Sequence, residues 1–421
     1  MLKPLILSVG AALALSVAVS AKDLPIVKPE TIGLSSAKLE ELRQHFQGYV
    51  DSGKLAGLTT LVAKGGKVAH FETYGAQDIA ANKPMGDEAV FRIYSMTKPI
   101  TTAALMMLWE EGKFKFDDPV SKYLPSFANQ AVFAGQEEGG FKTVPARREA
   151  TVLDLMRHTA GLSYGVFSDT PVDRSYRKNG VFSFGDDASL ETLTEKLGKE
   201  PLLYQPGDAW VYSLSVDVQG RLVEVLTGMT LDEFFRKRIF EPLGMDDTGF
   251  YAEGDEKARL AEMYALDENK NLVPYKGEFW QDFTVKPGVL SGGGGLVSTT
   301  EDYWRFSQMI ANGGELDGVR LLKEKTVDMM RSNQLPGNLN GIAGGKQGLG
   351  FGLGFAVVQN PEVIRGKTNI GNYFWGGMAN TIFWIDPTEE LVVILMTNVL
   401  PSGLYPLRRD MRNKVYEALI K

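Results

Sequence analysis

The chain has 421 residues, 44% hydrophobic and 23% charged, enough apolar matter to bury a large core and, by length, to build two or three structural units. Its 45 basic and 52 acidic side chains give a net charge of −7 without long runs, so the clustered basic residues of a nucleic-acid-binding surface are missing. There is no cysteine, and the three histidines, His45, His70 and His158, share no metal-ligand spacing; this rules out disulfides and thiol catalysis and gives no basis for a metal or another cofactor.

From the N-terminus, Lys3, the apolar run Leu5 to Val19 and the small pair Ser20-Ala21 read as a secretory signal over residues 1–21, which predicts an exported protein, periplasmic or secreted. The run is short for a membrane span, an uncleaved anchor being the plainer alternative, and no later stretch is apolar enough to cross a bilayer. Ser35-Ser36 ahead of Leu39, Leu42, Phe46 and Val50 predicts a capped amphipathic helix ending at Gly53. Leu58 to Ala63 and Val68 to Tyr74 predict two strands joined by the turn Lys64-Gly65-Gly66-Lys67.

The middle of the chain is patterned differently. Helical periodicity covers Ile100 to Glu111, Val152 to His158, Leu190 to Lys199, Val216 to Thr227 and Leu231 to Phe240. Polar loops join these segments, among them Asn129 to Val144, Ser163 to Gly185 and Tyr251 to Tyr275. Strand patterns return at Asn380 to Ile385 and Leu391 to Thr397, and a closing helix runs from Leu404 to Ile420. Strands confined to the two ends most simply complete one antiparallel sheet with the helical part docked on it, an α+β fold.

Ser-x-x-Lys occurs three times. Ser35 with Lys38 stands at a helix start, where serine caps, and Ser175 with Lys178 stands in a polar loop with nothing to bury either group. Ser95 with Lys98 instead opens a strongly apolar helix carrying Ile100, Ala103, Ala104, Met107 and Leu108, and residues three apart share one helix face. A lysine kept from water there gives up its proton more easily and can take one from a hydroxyl. The free N–H groups of the helix start suit a developing oxyanion. A capping serine beside a snorkelling lysine fits the same pattern equally well.

A competing motif, Gly161-Leu162-Ser163-Tyr164-Gly165, matches the Gly-x-Ser-x-Gly elbow but has no strand before it and no helix after it. It also has no histidine downstream, the last being His158. Its glycines read as the turn ending the helix that carries His158. The run Gly292 to Gly295 lacks the Gly-Lys-Ser/Thr of a phosphate loop and reads as a tight turn before a helix starting at Thr299 to Glu301.

Phe91-Arg92-Ile93-Tyr94-Ser95-Met96-Thr97-Lys98 resembles the nucleophile motif of the serine β-lactamase and penicillin-binding superfamily, most closely the family VIII carboxylesterases. Leu155 to Leu162, Gln205-Pro206-Gly207 with Tyr212-Ser213-Leu214, Glu241 to Met245 and Gly293 to Thr299 are similar to further family segments, in the same order. Trp375-Gly376-Gly377 stands in the place of the third motif, and the likeness spans essentially the whole mature chain. The resemblance implies a β-lactamase/transpeptidase-like fold, with residues 22–95 and 290–421 in an α/β domain, residues 96–289 in a mostly helical insert, and the active site at their interface. It implies that Ser95 is acylated, that Lys98 and Tyr212 share the acid–base work, and that the N–H groups of Ser95 and Met378 form the oxyanion hole. Trp375, Gly376 and Gly377 would line the substrate site.

The chain departs from that pattern at two places. Penicillin-processing relatives carry Lys-Thr-Gly at the third motif and Asn where this chain has Leu214; the upstream Lys367-Thr368-Asn369 lacks the glycine and reads as a loop. Losing these polar anchors points away from anionic amides and towards a small, neutral, short-chain ester as the substrate, with weak β-lactam hydrolysis on the side. A β-lactamase or D-amino-acid peptidase is the enzymatic alternative, and an inactive binding protein on the same scaffold is the alternative of another class. Oligomeric state leaves no trace in the sequence.

Overall fold

Leu391 to Met396 are six consecutive apolar residues, which suits a strand covered on both faces rather than one with a wet side. In the computed structural model, which describes residues 24–181, 188–277, 281–342 and 348–420, that segment lies inside an eight-stranded antiparallel sheet. The signal read at residues 1–21 lies outside the described residues. The strands in chain order are β1 (Gly57–Lys64), β2 (Lys67–Asp78), β3 (Lys83–Pro84), β4 (Leu349–Phe351), β5 (Ala356–Val358), β6 (Tyr373–Gly376), β7 (Ile382–Asp386) and β8 (Leu391–Thr397). Across the sheet they run β4-β5-β6-β7-β8-β1-β2-β3. The seam between chain ends is the β1–β8 ladder, in register from Leu58 opposite Thr397 to Lys64 opposite Leu391.

Alternation along β8 divides the core in two. Val392, Ile394 and Met396 enter the main apolar cluster, while Leu391, Val393 and Leu395 enter a second one. The second cluster is closed by Leu39, Leu42 and Phe46 of helix α1 (Ser36–Asp51) and by Leu407, Met411 and Val415 of helix α5 (Leu407–Glu417). The main cluster holds helices α2 (Thr97–Glu110), α3 (Ser215–Thr227) and α4 (Thr300–Ala311). Each fully buried leucine or isoleucine on either face contributes about 2 kcal/mol from burial. The α+β architecture expected from the strand-bearing chain ends is the one observed. Among the described residues, no helix is long and apolar enough to cross a membrane.

Three local expectations need correction. The stretch from Asn129 to Val144 is a hairpin, Ala131–Glu137 with Gly140–Pro145, turning at Gly139 (φ +79°); its strands are largely exposed, so they lack the alternation that marks a half-buried strand. Ser175 lies on a helix, Pro171–Lys178, rather than in a loop: Thr170 and Asp173 form a capping box around a first-turn proline. The helix bearing Val152 ends at Met156, and His158 itself takes the left-handed position (φ +58°) that the reading gave to the glycine pair. Gly161, three residues on, is also left-handed (φ +83°), and a Cβ there would collide with the carbonyl of Tyr204.

Helix α4 begins where expected, with Thr299 accepting from the Asp302 N–H. The buried Asp302 carboxyl accepts from the Asp247 N–H and the Thr248 hydroxyl, both at 2.8 Å, while burial and then the Asp247 charge push its pKa up to about 8. An unfolded aspartate titrates near 4. Between roughly pH 4 and 8 the folded chain therefore keeps a proton that the unfolded chain releases, and stability falls as pH rises through that window. Thermal melting should show this decline from pH 5 to pH 9, and Asp302→Asn should flatten it.

Candidate active site

Ser95 is reached through a strained turn. Phe91–Arg92 pairs antiparallel with Val297–Ser298, and the Ile93 N–H donates to the Leu296 carbonyl at 3.1 Å. Tyr94 follows at φ +43°, a left-handed conformation that costs a non-glycine residue about 1–3 kcal/mol. One 3-10 turn, Tyr94–Met96, then leads directly into α2. Ties from elsewhere hold it: the Tyr303 hydroxyl donates to the Met96 carbonyl at 2.9 Å, and the Leu296 N–H donates to Thr97 Oγ1 at 3.1 Å.

Helix α2 buries Lys98. Twelve of its fourteen residues are buried, so the helix has no wet face near its start, and Lys98 is 1% exposed. The Nζ donates to the Gly293 carbonyl at 2.5 Å, to Ser95 Oγ at 3.3 Å and to the Tyr164 hydroxyl at 3.4 Å. It also lies 4.5 Å from the centre of the Tyr212 ring and 5.3 Å from that of Tyr164, within cation–π range. The glycine run supplies the closest acceptor because it can approach α3: Asp217 accepts from the Ser291 hydroxyl at 2.6 Å and the Gly293 N–H at 3.1 Å. A Cβ on Gly293 would stand 2.5 Å from Asp217 Oδ2. Burial pushes the Asp217 carboxyl up, with the nearby Lys98 charge opposing it.

Tyr212 completes the centre, its hydroxyl donating to Ser95 Oγ at 2.6 Å. Its segment is laced to the turn after Met156: the Val211 N–H donates to the His158 carbonyl at 2.9 Å and the Leu214 N–H to the Ser163 carbonyl at 3.2 Å. His158 packs its ring 5.3 Å from that of Tyr212 and holds Ser213 Oγ at 3.1 Å. Burial, reinforced by the Lys98 charge, holds its pKa well below the usual value, so it is a neutral packing partner. Tyr164 is held protonated by burial and then by Tyr212 and Asp217. Tyr164, Phe167 and Trp375 set rings within 6 Å of Tyr212, giving the centre an aromatic wall.

The third stretch arrives on β6. Its glycines serve close approach, not turning: a Cβ on Gly376 would lie 2.8 Å from the Arg408 guanidinium, and one on Gly377 would collide with the Ile93 carbonyl and the Thr381 hydroxyl. Met378 packs on the same small apolar cluster as Tyr94. The residues singled out in the sequence, Ser95, Lys98, Tyr212, Trp375, Gly376, Gly377 and Met378, are thus gathered at one place. Leu214 is wholly buried in the main core, so it removes a polar group without adding accessible apolar surface. The remaining serines have other partners: Ser35 caps α1, Ser163 donates to Asp173 at 2.5 Å, and Ser175 donates to Glu200 at 2.6 Å. Lys367 pairs with Glu417 in a loop, as read. Among the described residues no group of histidines and carboxylates could hold a metal.

Tyr164 and Asp217 escaped the sequence reading. Tyr164 sits inside the misleading Gly-x-Ser-x-Gly pattern, and Asp217 looks like an ordinary first-turn helix acid.

A family model described as Beta-lactamase matches residues 42–416. The chain belongs to the beta-lactamase family. It is 36% identical over 359 residues to Protein Rv1367c of Mycobacterium tuberculosis, covering 84% of this chain and 88% of that protein. To Esterase EstB of Burkholderia gladioli it is 29% identical over 409 residues, covering 92% and 98%. The solved structure described as EstCE1, a hydrolase with promiscuous acyltransferase activity, superposes with a TM-score of 0.77 at 26% identity, covering 90% of this chain and 98% of that one. The chain is accordingly a hydrolase of the β-lactamase fold, and the resemblance carried by its motifs holds along its length.

Gly377→Ala tests the close approach. Backbone at Ile93 cannot yield easily, so the substitution should cost about 1–3 kcal/mol in urea unfolding, whereas Gly86→Ala, where a Cβ meets no atom and the backbone is not left-handed, should change stability by no more than about 1 kcal/mol.

Proposed function

We propose that this chain is a serine carboxylesterase that hydrolyses short-chain esters through an acyl group on Ser95. The observation that carries the reading is the position of Ser95 Oγ between two proton-handling groups, the Tyr212 hydroxyl at 2.6 Å and the Lys98 Nζ at 3.3 Å. Ser95 Oγ attacks the ester carbonyl carbon while its proton passes to the Tyr212–Lys98 pair, which acts in the state that holds one proton fewer than a phenol beside an ammonium. The carbonyl oxygen becomes an oxyanion held by the N–H groups of Ser95 and Met378. The tetrahedral species collapses, the C–O bond to the alcohol breaks, and the alcohol leaves with the proton held by the pair. Water then attacks the acyl-enzyme by the reverse route and releases the acid.

Aromatic walls and a tryptophan in place of the third-motif lysine favour a neutral ester, and the name of the relative Esterase EstB agrees with an ester substrate. The same reading takes the protein as exported after loss of residues 1–21, with residues 22–95 and 290–421 facing residues 96–289 across the site; sequencing the mature N-terminus checks the cleavage. Turnover of p-nitrophenyl butyrate should exceed that of nitrocefin. Nitrocefin hydrolysis without ester turnover would instead make the protein a β-lactamase, and no labelling of Ser95 by a fluorophosphonate probe would make it a binding protein.

Ser95→Ala should lower kcat by about four orders of magnitude or more and abolish the acyl-enzyme adduct in intact mass spectra. Tyr212→Phe should cost about 100-fold or more. Tyr164→Phe removes a hydroxyl that contacts Lys98 but not Ser95, and should cost about fivefold.

A further inference from the structure

Arg408 stands at the second position of α5 and lies behind the third stretch of the site. Its Nη2 donates to the Gly377 carbonyl at 2.6 Å and to the Thr381 carbonyl at 3.0 Å. Its Nε is shut off from water and has no hydrogen-bond acceptor, and among the described residues no carboxylate forms an ion pair with it. Burial draws its pKa down to about 10, which leaves it charged at neutral pH, and the Tyr212 phenol is near enough to favour that charge. A half-buried guanidinium answered only by backbone carbonyls is costly to keep.

The covalent arrangement gives that charge a use. The Gly377 carbonyl and the Met378 N–H belong to one peptide unit. A charged donor on the carbonyl oxygen draws electron density through the amide and makes the N–H a stronger donor. Among the described residues, the Met378 N–H donates to no acceptor within the protein, whereas the Gly377 N–H is taken by Thr381, at 2.9 Å to its carbonyl and 3.1 Å to its hydroxyl. The Arg408 bond holds the carbonyl of that peptide, and the Thr381 bonds hold the preceding Gly376–Gly377 peptide beside it. Gly376 is what lets the guanidinium come so near, since any Cβ there would meet it.

We propose that Arg408 is a positioning residue of the oxyanion site, holding and polarising the Gly377–Met378 peptide so that the Met378 N–H donates more strongly to the oxyanion than to the resting ester carbonyl. The inference rests on the Ser95 acyl-enzyme reading. It predicts an effect on the transition state and little on substrate binding. The size should be about tenfold, below the hundred- to thousand-fold loss that follows removal of an oxyanion donor outright, because the donor stays in place.

The test compares wild type, Arg408→Gln and Arg408→Lys with p-nitrophenyl butyrate, and measures inhibition by butaneboronic acid, whose adduct with a serine is a tetrahedral anion. Arg408→Gln should lower kcat about tenfold with KM within twofold, and raise the boronate Ki by a similar factor. Arg408→Lys, which keeps a charge able to reach one carbonyl, should fall between Gln and wild type in both readings, and it decides the question if the Gln variant does not fold. Variants with wild-type kcat and boronate Ki overturn the proposal. So does a melting temperature that falls while kcat and Ki stay put. A KM rise confined to acyl donors that carry a carboxylate, with kcat unchanged, overturns it too and makes Arg408 a substrate anchor. Absence of ester turnover in the wild type overturns the esterase reading, and this inference with it.

Discussion

Lys98 carries its amino group into a helix that is buried on nearly all sides, and a polar group there must be met by acceptors or by aromatic faces. Much of the surrounding structure answers that demand. The Gly293 carbonyl is the nearest partner, and it can reach Lys98 because a run without side chains lies flat against α3. Asp217 holds the run from the other side. The rings of Tyr164 and Tyr212 offer their faces and their hydroxyls. Each of these groups would be unremarkable alone; their shared neighbour gives them a common reason.

The sheet supplies the stiffness that such an arrangement needs. Strand β8 is covered on both faces, by α1 and α5 on one and by the main core on the other, so its neighbours β7 and β1 cannot shift without repacking two apolar clusters. Strand β6 inherits that rigidity through its pairing with β7 and delivers Gly377 against the Ile93 carbonyl, two residues before Ser95. The left-handed Tyr94 between them is a strain that the pairing of Phe91–Arg92 with Val297–Ser298 and the Tyr303 hydrogen bond can hold in place.

The parts of this design that were legible in the sequence are those with a local signature. The terminal strands follow from their short apolar, β-rich runs and the capped first helix from Ser35, and Ser95 with Lys98 stood out because an apolar helix follows them. The hairpin beginning at Ala131 was hidden because its strands are mostly wet, so no period-two pattern records them. The helix from Pro171 to Lys178 did carry its signal, Thr170-Pro171 with Asp173, but a polar composition masked it. Asp217, Tyr164 and Arg408 left no such mark. Each acts through a contact that only the tertiary fold creates: Asp217 with a loop more than seventy residues away, Tyr164 with Lys98, and Arg408 with the backbone of Gly377.

The ladder that pairs Leu58 with Thr397 also sets an order of events during synthesis. β8 must be available before β1 gains this neighbour, and β6 before Gly377 can close behind Ser95. A ribosome therefore makes some three hundred residues beyond Ser95 before its surroundings are complete, and contacts of such long range are slow to form. A partial chain that carries Ser95 and Lys98 but stops short of Gly377, Met378 and Arg408 has only half of the candidate site, so that site is completed late in folding.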